Sequence, residues 1–186
     1  LITITGNFAA NLAALTTLTL TNLTKILANC TPTMAALTTF SLPALTTVGG
    51  TFSPVMASAT TVTLTNLATV TGVSSQSYAT LTTLSFPAII SFGSTLTITA
   101  ANLVTFSFGS TLKSVGGNVT MSGMKLNQAS VDGILVSLAA LDGTNGTTAY
   151  SSKTVNVSGG TSSTPSATGL AAKATLVGRG CTVTNN

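Results

Sequence analysis

The chain has 186 residues, of which only 4% are charged, and its formal net charge at pH 7 is +4. In globular proteins about a quarter of the residues are usually charged. In this chain Ser and Thr, which make up about a third of the residues, must therefore supply most of the surface polarity. The few Lys and Arg residues are dispersed and Thr or Ser interrupts every apolar run, so neither nucleic-acid binding nor a membrane span is expected.

The residue types that carry most enzyme chemistry are missing. The sequence contains no His, Trp or Glu, and Asp132 and Asp142 are its only carboxylate side chains. Nucleophile–base triads and common metal sites therefore lack their central residues. We expect a protein that is not an enzyme and that binds no metal or other cofactor.

A 22-residue repeat organises the first two thirds of the chain. The apolar residue that opens each repeat recurs at Leu15, Leu37, Ala59, Leu81 and Leu103. A period of this length is typical of a solenoid, in which each repeat forms one coil stacked on the next. The sequence therefore predicts a mainly β protein, a β-solenoid with coils of about 22 residues.

Within each repeat, apolar residues first alternate with polar ones and then recur every third position. The alternating positions form two columns, Leu18, Phe40, Val62, Leu84, Phe106 and Leu20, Leu42, Leu64, Phe86, Phe108. The positions with three-residue spacing form two further apolar columns, Leu23, Leu45, Leu67, Ile89 and Ile26, Val48, Val70, Phe92. Alternation predicts a strand with one buried face, and the wider spacing predicts a corner. One extra residue near Gly109 shifts the fifth repeat to Leu112 and Val115.

A second strand is expected after the corner in some coils, because residues 96–99 and 118–121 alternate cleanly. Stacked coils pair strand to strand at about 4.8 Å, so about five or six coils would form a core roughly 25–30 Å long.

The repeat pattern L-x-x-L-x-L-x-x-L-x-x-V resembles leucine-rich repeats. The phrases that carry it are LTTFSLPALTTVGG (37–50) and LKSVGGNVTMSGMKL (112–126), and the resemblance covers roughly residues 12–126. It is most similar to the irregular repeats of receptor L-domains and bacterial surface antigens. The resemblance implies an elongated, surface-exposed repeat domain.

After Leu126 the alternation stops, and a helix is expected to begin. Ser130 is its predicted N-cap, and Asp132 lies in the predicted first turn, where a negative charge suits the helix dipole. Asp142 and Gly143 are predicted to end it. The apolar residues with helical spacing are Val131, Ile134, Leu135, Leu138 and Leu141.

A strand and turn over residues 153–160 then precede a second predicted helix and a final strand over 181–184. Thr164 is the predicted N-cap, Pro165 the first helical residue, and Gly178 and Gly180 stop the helix. Its predicted buried stripe consists of Ala167, Leu170, Ala171, Ala174 and Val177.

Val155 and Val183 are 28 residues apart, the length of a leucine-rich repeat with a helix on its outer side. We interpret residues 127–186 as helix-containing capping repeats of the same elongated domain as the solenoid repeats, 1–126.

The phrases SVDGILVSLAAL (130–141) and VNVSGGTSSTPSATGLAAKATLVGRGCTVT (155–184) resemble a tail module of bacteriophage structural proteins and bacterial repeat proteins. This resemblance implies a virion or surface context.

The two cysteines are not expected to pair. Cys30 and Cys181 fall near opposite ends of the stack, several coils of about 4.8 Å apart, whereas a disulfide needs Cα atoms within about 7 Å. We expect both to be small buried hydrophobic residues.

One outward-facing array of hydroxyls is the candidate contact surface, which we name the Thr/Ser face. It consists of Thr17, Thr39, Thr61, Thr83 and Thr105 and, beside them, Thr19, Ser41, Thr63, Ser85 and Ser107. This T-x-[ST] array resembles that of ice-binding β-solenoids, and it could also contact a glycan or a protein partner. Thr is equally a good strand former that packs against its copies on neighbouring coils, so a purely structural role also fits.

Together these features predict a structural protein on a virion surface, namely a bacteriophage tail or head fibre or a capsid-decorating protein. It would act as a rigid spacer and contact a host-surface receptor or glycan. A bacterial cell-surface adhesin is the alternative, followed by an ice-binding protein. Because the chain opens on the apolar strand LITIT, we expect residues 1–5 to continue into a preceding domain or to dock on another virion or surface protein or on a second copy in a homo-oligomer.

Overall fold

The 22-residue period of the sequence is the register in which the strands pair. Thr17 lies opposite Thr39, Thr39 lies opposite Thr61, and Thr83 lies opposite Thr105, with all strands parallel. The computed structural model describes residues 2–186, and these form stacked coils with two helices near the C-terminal end. The predicted β-solenoid is therefore confirmed.

The described residues contain short strands and two helices, α1 (Gln128–Ala139) and α2 (Ala167–Gly178). In chain order the strands are β1 (Thr3–Ile4), β2 (Thr17–Thr19), β3 (Lys25–Ile26), β4 (Thr39–Ser41), β5 (Thr47–Val48), β6 (Val55–Met56), β7 (Thr61–Thr63), β8 (Thr69–Val70), β9 (Ser74–Tyr78), β10 (Thr83–Phe86), β11 (Ser91–Phe92), β12 (Leu96–Thr99), β13 (Thr105–Phe108), β14 (Ser114–Val115), β15 (Val119–Thr120), β16 (Thr154–Asn156) and β17 (Thr182–Thr184).

Each complete coil passes through three sides, and each side is built from the equivalent strands of successive coils. The first sheet has the order β1-β3-β5-β8-β11-β14, and the second has the order β6-β9-β12-β15-β16-β17. The third side carries the Thr/Ser face and consists of two separate sheets, β2-β4-β7 and β10-β13. A corner separates the third side from the first sheet, as the change from alternating to three-residue spacing predicted.

The predicted apolar columns form the core. In the middle of the stack Leu64 is 2% exposed and Leu84 is 1% exposed, as expected for core positions. Aromatic rings fill the core behind β10 and β13. Phe86 meets Phe92 edge-on with ring centroids 5.5 Å apart, and Phe106 meets Phe108 with centroids 4.9 Å apart. The first sheet joins Ser91 to Ser114, a step of 23 rather than 22, so the extra residue near Gly109 is also confirmed.

Side chains reinforce the backbone ladders between coils. The side-chain oxygen of Asn7 accepts a hydrogen bond from the backbone of Asn29, and that of Asn29 accepts one from the backbone of Thr51, at 3.1 and 2.8 Å. The hydroxyl of Thr46 donates to the carbonyl of Thr24 at 2.9 Å. Each of these bonds spans 22 residues, so they add to the cohesion of consecutive coils along the stack.

The second sheet continues into the C-terminal third. Val119 lies opposite Val155, and Val155 lies opposite Val183, so the predicted 28-residue step is a real coil of the solenoid. Helices α1 and α2 pack against each other, and α1 also covers β13. The C-terminal segment therefore shares one core with the repeats that precede it.

The predicted caps of α1 are wrong. The N-cap is Asn127, whose side-chain oxygen accepts from the backbone N–H of Ser130 at 2.9 Å, and the helix ends at Ala139, before Asp142 and Gly143. Ser130 is buried inside the helix, where its hydroxyl oxygen accepts from the backbone N–H of Phe106. The apolar residues predicted to be buried in and just after α1 are confirmed as buried, namely Val131, Ile134, Leu135, Leu138 and Leu141.

Asp132 does not serve the helix dipole, because it lies beyond the first turn of α1. It is half-buried, and its carboxylate accepts hydrogen bonds from the backbone N–H and hydroxyl of Ser166. Ser166, rather than Thr164, is the N-cap of α2. Asp132 therefore joins the two helices by fixing the residue at which α2 begins.

The predicted buried stripe of α2 is wrong, because it is the exposed face. Leu170 and Val177 are each 51% exposed, and the three alanines of the stripe are exposed as well. The buried residues are Gly169, Ala172 and Leu176. A Cβ atom at position 169 would collide with the Asp132 carboxylate, so the close approach of α2 to α1 requires glycine there.

Both cysteines behave as expected. Cys30 and Cys181 are buried and unpaired.

Candidate contact face

The ten residues of the Thr/Ser face lie on β2, β4, β7, β10 and β13, on the side of these strands that faces away from the core. Seven of them are exposed, and Thr39, Ser41 and Thr63 are half-buried. The alternate residues of the same strands, such as Phe40 and Leu84, point into the core and are nearly inaccessible. The strand alternation predicted from the sequence therefore places the hydroxyls at the surface.

The geometry of the face follows from strand spacing. Hydroxyl residues two positions apart on one strand are about 6.6 Å apart, and those on paired strands are about 4.8 Å apart. Thr17, Thr39 and Thr61 form one such paired row, and Thr83 and Thr105 form another. The face presents uncharged hydroxyls that can both donate and accept hydrogen bonds.

The row is not continuous, although the sequence column is. Among the described residues no backbone hydrogen bond joins β7 to β10, and the two strands belong to separate sheets. Val62 on β7 is half-buried, whereas Phe40 and Leu84 in the same apolar column are almost completely inaccessible. We name the facing edges of β7 and β10 the seam. The structure thus brings together six of the ten predicted residues on one sheet and four on the other.

Sequence reasoning missed a second polar row, on the outer side of the second sheet. It consists of Ser75, Thr97, Thr120, Asn156 and Thr184, which lie opposite one another in an unbroken ladder. The steps along this row are unequal, because the last two coils contain the helices. A search at a fixed 22-residue period cannot detect this row. It becomes visible once Val119 is aligned with Val155 and Val155 with Val183.

The N-terminal end of the stack leaves core positions uncovered. Ile2 is 67% exposed and Leu12 is 50% exposed. Leu15, Leu18 and Leu20, which begin the apolar columns, are only partly buried, whereas their counterparts in the next coil are fully buried. This end therefore presents apolar side chains together with the unpaired edges of β1 and β2.

The two carboxylates of the described residues make separate, local hydrogen bonds. Asp132 contacts Ser166, and Asp142 accepts hydrogen bonds from Thr144 in the loop after α1. Hydrogen bonds from the hydroxyl and backbone of Thr144 lower the pKa of Asp142 below its ordinary value. Among residues 2–186 no three His, Cys, Asp or Glu side chains lie close enough to hold a metal ion together.

Comparisons with known proteins give no relative. No family model matches the chain, and no curated protein or solved structure is significantly similar to it. Neither helix in the described residues combines the length and hydropathy needed to cross a bilayer.

Proposed function

We propose that this chain is a non-enzymatic structural and binding module on the surface of a virion, in a bacteriophage tail or head fibre or as a capsid-decorating protein. Its stacked coils act as a rigid spacer, and its Thr/Ser face contacts a host-surface receptor or glycan. The observation that carries the proposal is an uncharged hydroxyl face held outward on a stack whose core is closed on three sides.

The spacer role is supported by the continuity of the ladders. The first and second sheets each run through six strands without a break, and side-chain bonds such as that from Asn29 to Thr51 repeat the backbone step. A stack in which every coil bonds to both neighbours resists bending on those two sides. We propose the virion setting because the sequence phrases at residues 130–141 and 155–184 resemble a tail module of bacteriophage structural proteins.

The exposed N-terminal end supports attachment there. Ile2 and Leu12 present apolar surface beside unpaired strand edges, a combination that favours pairing with another chain. Other virion or surface proteins, or a second copy of this chain, would dock at this end. The Thr/Ser face would then remain free along the side of the spacer.

The setting is tested by mass spectrometry of purified virions from the source of the gene. Recovery of this chain in the particles supports the proposal. Its recovery in the cell-surface fraction of uninfected bacteria would instead support the adhesin alternative. Thermal hysteresis by the purified chain would indicate an ice-binding protein and would contradict the proposal.

The face is tested with a glycan array that carries bacterial lipopolysaccharides and capsular polysaccharides, together with whole host cells. Replacing Thr39, Thr61 and Thr83 with Lys should abolish binding, because charged side chains then cover the hydroxyl rows. The matched control replaces Ser75, Thr97 and Thr120 with Lys on the second polar row, and it should bind as the parent does. Equal binding by both triple variants would leave only the spacer role.

A further inference from the structure

The loop that follows α1 contains the only Asn-Gly pair of the sequence, Asn145-Gly146. Both residues are exposed, and both have a left-handed backbone, with φ of 49° at Asn145 and 76° at Gly146. A positive φ is uncommon for a residue that has a side chain. The pair forms the tip of a tight turn, which is closed by a bond of 2.8 Å from Thr147 N to Thr144 O.

An Asn-Gly pair carries both partners of a cyclisation reaction. The backbone nitrogen of Gly146, once it has lost its proton to hydroxide, can attack the side-chain carbonyl carbon of Asn145. A C–N bond forms there, and the side-chain nitrogen leaves as ammonia after it takes a proton from water. Water then opens the resulting succinimide ring at either of its two carbonyl carbons, which gives aspartate or isoaspartate. In total one water is consumed and one ammonia is released.

The structure leaves the attacking nitrogen accessible. In the part of the chain that the structure describes, no group accepts a hydrogen bond from the N–H of Gly146. Apart from its chain neighbours, no described atom lies within 4 Å of the position that a Cβ atom would take there. The side-chain nitrogen of Asn145 donates only a long bond of 3.3 Å, to the hydroxyl of Thr144. The exposed tip is therefore free to leave its left-handed conformation and bring the two reacting atoms together.

A cation lies beside the peptide group that must lose the proton. Nζ of Lys113 donates to the backbone carbonyl oxygen of Asn145 at 3.2 Å. This carbonyl belongs to the same peptide unit as the nitrogen of Gly146, so resonance spreads the negative charge of the deprotonated unit onto this oxygen. A charged donor at that oxygen stabilises the anion and thereby favours the attack. The backbone of Lys113 is itself tied to the loop, because its carbonyl accepts from Thr148 N at 2.8 Å.

The other asparagines lack this combination. Each of them up to Asn185 is followed by a residue with a side chain, which shields the next backbone nitrogen. The side-chain oxygens of Asn29, Asn118 and Asn156 also accept backbone N–H groups at 2.8 to 3.0 Å, which fixes these side chains. Asn145 therefore stands apart from them in both its neighbour and its freedom.

We propose that Asn145-Gly146 is a self-modification site, at which Asn145 converts to aspartate and isoaspartate with assistance from the Lys113 ammonium. The conversion places a second carboxylate in the loop that contains Asp142. Isoaspartate also adds one carbon to the backbone of the turn at residues 144–147. Both changes should weaken the bonds that Thr144 and Thr147 donate to the carboxylate of Asp142, so the modified loop is more negative and less ordered.

The test is peptide mapping by mass spectrometry of the full folded chain after incubation for several weeks at mildly alkaline pH. Trypsin releases residues 126–153 as one peptide, because Lys125 and Lys153 bound it. This peptide should gain the mass of an exchange of NH2 for OH at Asn145 before any other asparagine reacts. Electron-transfer fragmentation should identify both aspartate and isoaspartate. No conversion at Asn145, or faster conversion at another asparagine, would overturn the proposal.

The variant Lys113→Gln tests the role of the cation. It should slow the conversion about threefold, the size expected of a charge interaction that solvent screens, and high salt should reduce this difference from the parent. Lys125→Gln is the matched control, since it removes the same charge from another exposed lysine and should convert as fast as the parent. Equal rates in the two variants would overturn the assistance by Lys113.

Gly146→Ala tests the identity of the nucleophile. A methyl group on the attacking residue should slow the conversion at least about tenfold, because glycine permits the closest approach of its backbone. The amide NMR spectrum checks that the loop keeps its structure, which position 146 requires because its φ is positive. Conversion at the parent rate in a variant with an intact loop would show that the attack does not proceed through this nitrogen.

Discussion

The hydroxyl of Tyr78 donates a 3.0 Å hydrogen bond to the side-chain carbonyl of Gln76 inside the solenoid core, where both side chains are at most 1% exposed. The amide nitrogen of Gln76 donates in turn to the hydroxyl of Ser74, also at 3.0 Å. Ser74 occupies a core position between Phe52 and Leu96, which are apolar. A short polar chain is thus enclosed in an otherwise apolar core, with every buried side-chain polar atom satisfied among the described residues.

Replacing Tyr78 with Phe should lower the free energy of unfolding by about 1–3 kcal/mol, because it leaves the carbonyl oxygen of Gln76 buried without a donor. Urea denaturation measures the change. Adding Gln76→Leu to this variant should recover part of the loss, since both polar partners are then removed. Tyr150→Phe is the control, because its hydroxyl donates a longer bond of 3.3 Å to the carbonyl of Thr154, a residue that is only half-buried. A Tyr78→Phe variant as stable as the parent would contradict this account.

Replacing Leu64 with Ala should cost roughly 2–5 kcal/mol, through lost burial and the cavity that remains. Leu64 is 2% exposed in the middle of the stack. Thr61→Val on the neighbouring outward position should change stability by less than about 0.5 kcal/mol, as surface substitutions usually do. Chemical denaturation of the two variants distinguishes the outward position on β7 from the inward position that directly follows this strand. Similar losses in both would mean that the assigned inward and outward positions are wrong.

The Cys30 thiol should resist alkylation in the folded protein. Burial raises its pKa from an ordinary 9.0 to about 12, so almost no thiolate is present at pH 8. In a Cys181→Ser background, iodoacetamide should label Cys30 in guanidinium chloride and not in native buffer. The protonated Cys30 thiol also contributes to the stability of the folded chain, because its pKa is higher in the folded state than in the unfolded state. This contribution is complete below pH 9.0 and is lost as the pH rises through about 12. Rapid labelling of the native chain would contradict the burial of this thiol.

The carboxylate of Asp142 should titrate below its ordinary pKa of 3.8. The hydroxyl and backbone N–H of Thr144 donate to it at 2.7 and 2.9 Å, and Thr147 adds a weaker bond. Since the folded-state pKa is the lower one, the ionised group stabilises the loop above the pKa of the unfolded chain. That stabilisation is lost as the pH falls from about 4 through the folded pKa.

An NMR titration of the Asp142 side chain measures this pKa directly, and Asp142→Asn should remove the acid transition of the Thr144 amide. Thr147→Val removes the weaker bond to the carboxylate, together with the bonds of the same hydroxyl to Gly143 N and Thr144 O. It should shift the midpoint less than Thr144→Val. A midpoint at or above the ordinary value would contradict the hydrogen-bonded loop.

The chain should associate through its N-terminal end at micromolar concentration, as measured by sedimentation velocity. Replacing Ile2 and Leu12 with Lys should reduce association, because charges then occupy the exposed apolar end of the core. The control replaces Leu170 and Val177 with Lys on the outer face of α2, which has the same number of exposed apolar residues changed. A monomeric parent chain, or an equal reduction of association by both double variants, would contradict attachment through residues 1–12.

The repeat determined most of the solenoid without tertiary information. The 22-residue period of the sequence equals the register of strand pairing, because Thr39 can lie opposite Thr17 and Thr61 only if each coil is 22 residues long. Alternation then decides which side chains face inward, so the burial of Leu64 and the exposure of Thr61 were predictable. The 28-residue step from Val155 to Val183 follows from the same rule.

Tertiary packing decided the features that no local pattern encodes. Helical spacing identified α2, but its small residues Gly169 and Ala172 are the ones that allow close contact with α1, so Leu170 is left outside. Residue type predicts Ser130 as a cap, whereas the buried hydrogen bond from Phe106 N to its hydroxyl belongs to a position inside the helix.

The seam is the clearest case in which tertiary structure overrides a regular sequence. The threonine column is unbroken from Thr17 to Thr105, yet β7 and β10 do not pair. We attribute this to side-chain volume, because the coil that contains β10 carries Tyr78 and Phe86 where the coil that contains β7 has Met56 and Leu64. The surface column records only which residues face outward. The spacing between coils is set by the bulk of the side chains that fill the core behind them.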